Sequence, residues 1–233
     1  MSDSLPVVLI PGLLASPRLY AEQIPELWRF GPVTVADHTR DETMGAIARR
    51  ILAAAPPKFA LVGLSMGGYI SFEIMRIAPE RVVKLALLDT SARPDLPEQS
   101  ETRRAQIADA KSGRLLDVLA RAFPTWVHPA RHDDKALRDL TISMAREVGV
   151  EGYVRQQQAN ISRVDSRPTL AAIRCPTLVL VGEQDGLTTP ERAAEIANGI
   201  SGARLVTVPD CGHMSAVEQP QKVTAALVDL LRG

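Results

Sequence analysis

Six short apolar runs punctuate the chain: "VVLI" at 7–10, "VTVA" at 33–36, "FALVG" at 59–63, "VVKLALL" at 82–88, "TLVLVG" at 177–182 and "RLVTV" at 204–208. Most are continuous rather than alternating. A strand that is apolar at every position needs both faces covered, which is the situation of parallel strands between two layers of helix. Helical spacing fills the intervals. Ile47, Ile51 and Leu52 share a face, as do Ile70, Ile74 and Ile77 before Pro79, and Val223, Leu227, Leu230 and Leu231 mark a last helix. Strand and helix in alternation predict an α/β fold, a mostly parallel sheet of about six strands joined by right-handed crossovers. At 233 residues the chain can bury a sizeable core as one large domain.

The alternation breaks once. Residues 95–168 contain no convincing strand and carry helical spacing instead: Leu115, Leu116, Leu119 and Phe123, then Leu137, Leu140, Met144 and Val148. The expected organisation is therefore a core of residues 1–94 and 169–233 with a helical insertion, 95–168, inside the same domain. An insertion placed between two strands of such a sheet is expected to form a cap over the site; the alternative is a helical bundle that only completes the core. Helix starts are also legible. Thr189-Pro190 reads as an N-cap followed by proline at the first helical position. Ser215 with Glu218 fits a capping box, and Pro220 suits a first turn, so Glu218 is expected to be structural rather than catalytic.

Composition narrows the function classes. Lysine plus arginine and aspartate plus glutamate are equal at 27 each, and no basic face or acidic tail stands out, so nucleic acid is not an expected partner. No stretch approaches the roughly 18 apolar residues of a spanning helix, so no membrane is expected either. The start "MSDSLPVVLIPG" lacks a basic n-region and its apolar run is cut short by Pro11 and Gly12, unlike a secretory signal. Two cysteines, Cys175 and Cys211, have neither metal nor redox spacing. The expectation is a cytoplasmic protein that uses no metal and acts on a small molecule.

In an open parallel sheet, ligands bind beyond the carboxyl ends of the strands. The residues just after each run are therefore informative: "PGLLAS" at 11–16, "DHTR" at 37–40, Ser65, Asp89-Thr90-Ser91, "EQDG" at 183–186 and "PDCGHM" at 209–214. Gly63-Leu64-Ser65-Met66-Gly67 is a G-x-S-x-G pattern with a strand before it and a helix after it. A nucleophilic serine must project from a pinched strand-to-helix turn, which needs small neighbours such as Gly63 and Gly67. The helix that starts there aims N–H groups at developing negative charge, which makes the Met66 N–H one oxyanion donor. The second is expected from the loop after the first strand, at Leu13, with Leu14 as runner-up.

A serine hydroxyl needs a base at neutral pH, and His213 is the candidate. His38, His128 and His132 read as surface or capping histidines, although His38 also lies at the strand-end edge and could line a pocket. The acid that orients the base should lie between serine and histidine in the chain. Asp185 in "GEQDG" is favoured, Asp89 in "LLDTS" is its rival, and Asp210 is too near His213 in sequence. Leu14, Tyr69 and Trp126 are candidate pocket residues, with Phe123, Met144 and Tyr153 possible from the insertion; singly, each is as readily core. Arg163 and Arg167 could meet a carboxylate, but Arg163 with Asp165 is as easily a surface pair. Cys211 reads as a buried filler.

With these residues in view, the chain resembles the α/β-hydrolase superfamily. "GLSMGG" resembles its nucleophile elbow, "LVGEQD" its acid strand and "PDCGHMSAVEQP" its histidine loop, and the likeness runs from residue 5 to the end. "GLSMGG" with "YISFEIMRIAPERV" is similar to the subgroup of 3-oxoadipate enol-lactonases and related carboxylesterases, which need no cofactor. The resemblance implies Ser65 as nucleophile, His213 as base, Asp185 as orienting acid and Leu13 and Met66 as oxyanion donors. It also implies a serine hydrolase cleaving a small-to-medium carboxylic ester, thioester or lactone through an acyl-enzyme. C–C bond hydrolysis, elimination or acyl transfer by the same residues is the alternative, and a ligand-binding receptor on this fold is a third. Two departures stand out. Pro11-Gly12 occupies the place of the family's usual His-Gly, and the sheet begins without the usual N-terminal hairpin.

Overall fold

A computed structural model describes residues 4–233, so the first three residues of the expected core lie outside the described residues. The six runs form six strands: β1 (Val7–Ile10), β2 (Val33–Val35), β3 (Phe59–Leu64), β4 (Val82–Leu88), β5 (Thr177–Gly182) and β6 (Arg204–Val208). They make one sheet in the order β2-β1-β3-β4-β5-β6, and every pairing is parallel. Between and around them lie α1 (Ile24–Leu27), α2 (Met44–Ala54), α3 (Met66–Ile77), α4 (Pro97–Asp109), α5 (Leu115–Trp126), α6 (Lys135–Ile161), α7 (Arg167–Leu170), α8 (Pro190–Gly199), α9 (Ser215–Glu218) and α10 (Pro220–Arg232).

The continuous apolar strands are explained by the two layers they separate. Val8, Ile10, Leu61, Val179 and Val181 face α2, α3 and α8. Their chain neighbours Val7, Leu9, Val62, Leu178 and Leu180 face α1 and α10. This two-sided burial belongs to the inner strands. The edge strands β2 and β6 are only partly covered, and Leu205 on β6 is 40% exposed. Helical spacing puts Ile77 and Leu116 on buried faces, but they turn outward, 41% and 40% exposed. Ile77 is the last residue of α3, and Leu116 sits beside a buried stripe formed by Leu115, Val118 and Leu119.

The chain steps from β1 out to β2 and then returns across β1 to β3, so the sheet order reverses between β1 and β3. That reversal opens a crevice at the carboxyl ends of these two strands, where the loop after β1 and the turn after β3 meet. Residues between β4 and β5 carry helices and no strand. A third apolar cluster, formed by Leu115, Val118, Leu119, Ala145 and Tyr153 with Leu14, joins these helices to the loop after β1. Gly113 (φ 89°) makes the turn between α4 and α5, and Gly149 (φ 70°) bends α6. Among the described residues no helix is long and apolar enough to cross a membrane.

Two helix starts differ from expectation in detail. Thr189 holds the N-cap position before Pro190, but its hydroxyl makes no capping bond. The capping box at Ser215 and Glu218 does not form. The Ser215 hydroxyl donates to the buried Asp89 carboxylate instead, and Met214 takes the N-cap position of α9. Glu218 is structural nonetheless. Its Oε1 accepts the N–H groups of Gly212 (3.0 Å) and Met214 (3.1 Å), and its Oε2 accepts that of His128 (2.7 Å).

Candidate active site

The strand register brings the chain's reactive groups to one edge. β3 runs into α3 with no loop, and Ser65 at the junction has φ 54° and ψ −113°. A side chain rarely tolerates that conformation, and here the surroundings impose it. The Ser65 N–H is held by the Leu88 carbonyl at 2.9 Å. A methyl group on Gly63 would collide with the Gly67 carbonyl, and one on Gly67 with the Ile10 carbonyl, so the first turn of α3 can press against both β3 and β1 only with glycine at both places.

Ser65 Oγ lies 2.8 Å from His213 Nε2, and His213 Nδ1 lies 2.8 Å from Asp185 Oδ2. Asp185 is further fixed by N–H groups of Leu187 (2.8 Å) and Thr188 (2.9 Å) and by the Thr188 hydroxyl (2.6 Å), which also sits 3.1 Å from His213 Nδ1. Burial alone would raise the Asp185 pKa. The facing imidazole and the bonds from His213 and Thr188 outweigh it and hold the carboxyl down at about 2. Burial likewise pulls His213 down, and the Asp185 carboxylate overcomes it, leaving the imidazole above its usual 6.5. Sequence reasoning misses Thr188; the Asp-Gly-Leu-Thr turn, in which an aspartate accepts N–H groups two and three residues on, is the signal that could have found it.

Asp89, the rival acid, makes no bond to His213. Its Oδ1 accepts the Gly182 N–H at 2.9 Å and its Oδ2 accepts from Ser215. Burial first, and then the Asp185 charge, push its pKa up to about 8. Asp210 is exposed in a turn with φ 56°. Cys211 is buried and its thiol pKa is pushed far up by burial, as suits a filler. Among the described residues no group of three histidine, cysteine, aspartate or glutamate side chains could hold a metal ion.

Leu13 and Leu14 separate cleanly. The Leu14 N–H is taken by Gln156 Oε1 at 3.1 Å, whereas the N–H groups of Leu13 and Met66 meet no acceptor among the described residues. Gln156, on α6, also places its Nε2 at 3.0 Å from His38 Nε2, which lies 2.9 Å from the Gly12 carbonyl. His38 is therefore neither a surface histidine nor a pocket residue. It is buried beneath the loop after β1, and burial lowers its pKa and keeps it neutral. A ring nitrogen between a carbonyl and an amide serves one of them at a time: protonated it donates to Gly12, bare it accepts from Gln156. His128 is a capping histidine, its Nδ1 accepting the Ala130 N–H at 3.1 Å, and His132 does not reach the cavity.

Ser65 and His213 open into a cavity of about 400 Å³. Leu13, Leu14, Met66, Tyr69 and Trp126 line it, with Met144 and Tyr153 from α6. Phe123 does not; it turns into the apolar layer under the sheet. Arg163 lines the cavity but bonds Asp95 rather than Asp165, and lies over the Tyr69 ring at 4.2 Å. Arg167 takes Asp165 outside the cavity. Arg103, Arg121 and Arg192, not singled out in the sequence, also line it.

The family model described as alpha/beta hydrolase fold matches residues 6–220. A protein of Mycobacterium tuberculosis bearing the name non-heme bromoperoxidase BpoC is 30% identical over 175 residues, 72% of this chain and 66% of its own length. The chain thus spans just under two thirds of that relative. A thermophilic esterase from Thermogutta terrifontis is 30% identical with a TM-score of 0.88, covering 98% of this chain and 89% of the other. An enol-lactonase from Burkholderia xenovorans superposes with a TM-score of 0.89 at 24% identity, covering 100% and 93%, a likeness of fold.

Proposed function

The chain belongs to the α/β-hydrolase family, and from that premise we propose that it is a serine hydrolase cleaving a small-to-medium carboxylic ester, thioester or lactone through an acyl-enzyme. The observation that carries the reading is the unbroken line of bonds from Ser65 Oγ through His213 to Asp185, 2.8 Å at each step. In this reading Ser65 Oγ attacks the acyl carbonyl while His213 Nε2 takes its proton, and the same proton goes to the departing alcohol, thiol or ring oxygen. Water then repeats the sequence on the acyl-enzyme. Asp185 holds the imidazole in the tautomer with hydrogen on Nδ1 and stabilises the imidazolium. The Leu13 and Met66 N–H groups receive the oxyanion, and engagement of the Leu14 N–H by Gln156 favours Leu13 as the second donor. Helices α4 to α6 are read as the cap, since they supply much of the cavity wall.

The test is hydrolysis of p-nitrophenyl acetate, butyrate and octanoate across pH. His213 must be neutral to act, and its folded pKa lies above 6.5. The rate constant kcat/KM should therefore be full on the alkaline side and fall tenfold per pH unit below a midpoint higher than 6.5. A rate flat down to about pH 4 would remove His213 as the base.

Gln156 offers a second check. It accepts from Leu14, whose backbone holds φ 55°, and so fixes the peptide that follows the one presenting the Leu13 N–H, limiting how the loop can turn there. Gln156→Leu should lower kcat for p-nitrophenyl butyrate roughly 10- to 100-fold with KM changed less than about threefold, because an oxyanion donor acts mainly in the transition state. Loss expressed in KM alone would contradict this arrangement.

A further inference from the structure

His38 is a buried side chain that the proposed chemistry does not use. It follows β2, is 2% exposed and does not line the cavity. Burying an imidazole costs free energy unless its polar atoms find partners, so the partners define what it can do. Its Nε2 lies 2.9 Å from the Gly12 carbonyl, which also accepts the Ala15 N–H at 3.2 Å. The single proton of the neutral ring has two carbonyls to meet, Gly12 at Nε2 and Ala36 at Nδ1, and only the Gly12 contact has hydrogen-bond geometry. With the proton on Nε2, Gln156 keeps the Leu14 N–H through its Oε1 and gives up only the contact of its Nε2. Helix α6 also steadies the segment, since Arg155 Nε donates to the Thr39 carbonyl at 2.8 Å.

The Gly12 carbonyl belongs to the peptide that carries the Leu13 N–H. That peptide is trans, so its C=O and N–H lie in one plane and point in opposite directions. A group that fixes the carbonyl therefore aims the N–H. His38 holds the carbonyl from beneath the loop, and the Leu13 N–H on the other side meets no acceptor among the described residues. The same peptide lies beside the nucleophile. A methyl group on Gly12 would stand 3.4 Å from Ser65 Cβ, and Gly12 and Leu13 both line the cavity. The bond from Ala15 to Gly12 closes a β-turn whose third residue, Leu14, holds φ 55°, where a residue with a side chain is strained. Peptides in a strained turn depend on ties from outside it: Gln156 on the Leu14 N–H, and His38 on the Gly12 carbonyl.

We propose that His38 is a positioning residue for the oxyanion site: its Nε2–H, donated to the Gly12 carbonyl, holds the Gly12–Leu13 peptide so that the Leu13 N–H faces the oxygen of a carbonyl attacked by Ser65. This rests on the hydrolase reading and deepens it. A bond accepted by a peptide carbonyl also polarises that peptide, which makes the Leu13 N–H a stronger donor. The histidine itself stays out of contact with substrate, and its whole effect passes through one peptide.

The test uses His38→Phe, which keeps a ring in the space and removes the donor, and His38→Gln, whose amide nitrogen can take the place of the ring Nε2. For p-nitrophenyl butyrate, His38→Phe should lower kcat roughly 10- to 100-fold with KM changed less than about threefold, and His38→Gln should recover most of the loss. A trifluoromethyl ketone supplies a readout that general loosening of the fold would not move in step. Ser65 Oγ bonds to its carbonyl carbon, the C=O electron pair moves onto the oxygen and the hydroxyl proton passes to His213, so the adduct carries the oxyanion. Its affinity should fall in His38→Phe by about the same factor as kcat. Unchanged kcat in a well-folded His38→Phe, a loss confined to KM, or a glutamine variant no better than phenylalanine overturns the proposal. The proton is read in wild type by long-range ¹H–¹⁵N correlation of the histidine rings, with His38→Gln assigning the signal. A proton on Nε2 supports the proposal and one on Nδ1 overturns it, even where His38→Phe fails to fold. If wild type neither turns over an ester nor takes the ketone, the hydrolase reading fails, and the ring proton alone decides whether His38 holds the Gly12 peptide.

Discussion

Ser65→Ala is expected to lower kcat for p-nitrophenyl butyrate by roughly 10⁴-fold or more, leaving only the slow background that an oxyanion site and substrate binding sustain without a nucleophile. The expectation follows from placement. Ser65 Oγ is the atom at the end of the line from Asp185 and His213, and it opens into the cavity. Removing it deletes one hydroxyl from a partly exposed position, so the variant should melt close to wild type. Steady-state rates, with the melting temperature as a folding control, decide the matter. An alanine variant retaining more than about a tenth of wild-type turnover would mean that the reacting atom is elsewhere.

Asp185→Asn should cost about 10³- to 10⁴-fold in kcat, because a neutral amide neither stabilises an imidazolium nor selects the tautomer that leaves Nε2 bare toward Ser65. The matching change at the other buried acid, Asp89→Asn, should cost less than about tenfold. Asparagine can still accept the Gly182 N–H and can donate to the Ser215 hydroxyl, so the local bonds survive. Its effect should appear in stability. Asp89 has a folded pKa of about 8 against an ordinary 3.8, so between those values the native chain holds a proton that the unfolded chain has released. Wild-type stability from this group is therefore present at low pH and lost as pH rises toward about 8. The melting temperature of Asp89→Asn should gain on wild type across that window and level off above it. Equal kinetic losses at the two positions would mean that the acid has been assigned to the wrong strand end.

The strands could be read from sequence because each inner strand is coated on both sides, and a coated strand is apolar throughout. The edges were harder to read: Leu205 sits on a strand that looks like the others in sequence but has one neighbour and partial cover. Ser65 stood out because the strand-to-helix turn demands glycine on both flanks. His213 and Asp185 stood out by their places after strands, and the structure brings both to Ser65. The features hidden from sequence depend on contacts across more than a hundred residues. Gln156 lies in a helix whose pattern announces only amphipathicity, yet it meets Leu14 and His38. Ser215 was drawn out of its cap by Asp89, a competitor that no local pattern exposes.

The helices over the cavity are fastened to the strand-end loops at several places: Glu218 grips His128 together with the loop of His213, Gln156 grips Leu14, and Arg163 grips Asp95. This bears on how such a chain can diversify. A change at any fastening point disturbs the reacting groups along with the wall, so drift there is constrained. Thr102 and Ala122 line the cavity with no side-chain bond to those loops among the described residues. New substrate shapes are most accessible through these positions, where the wall can be recut while the chemistry stays in register.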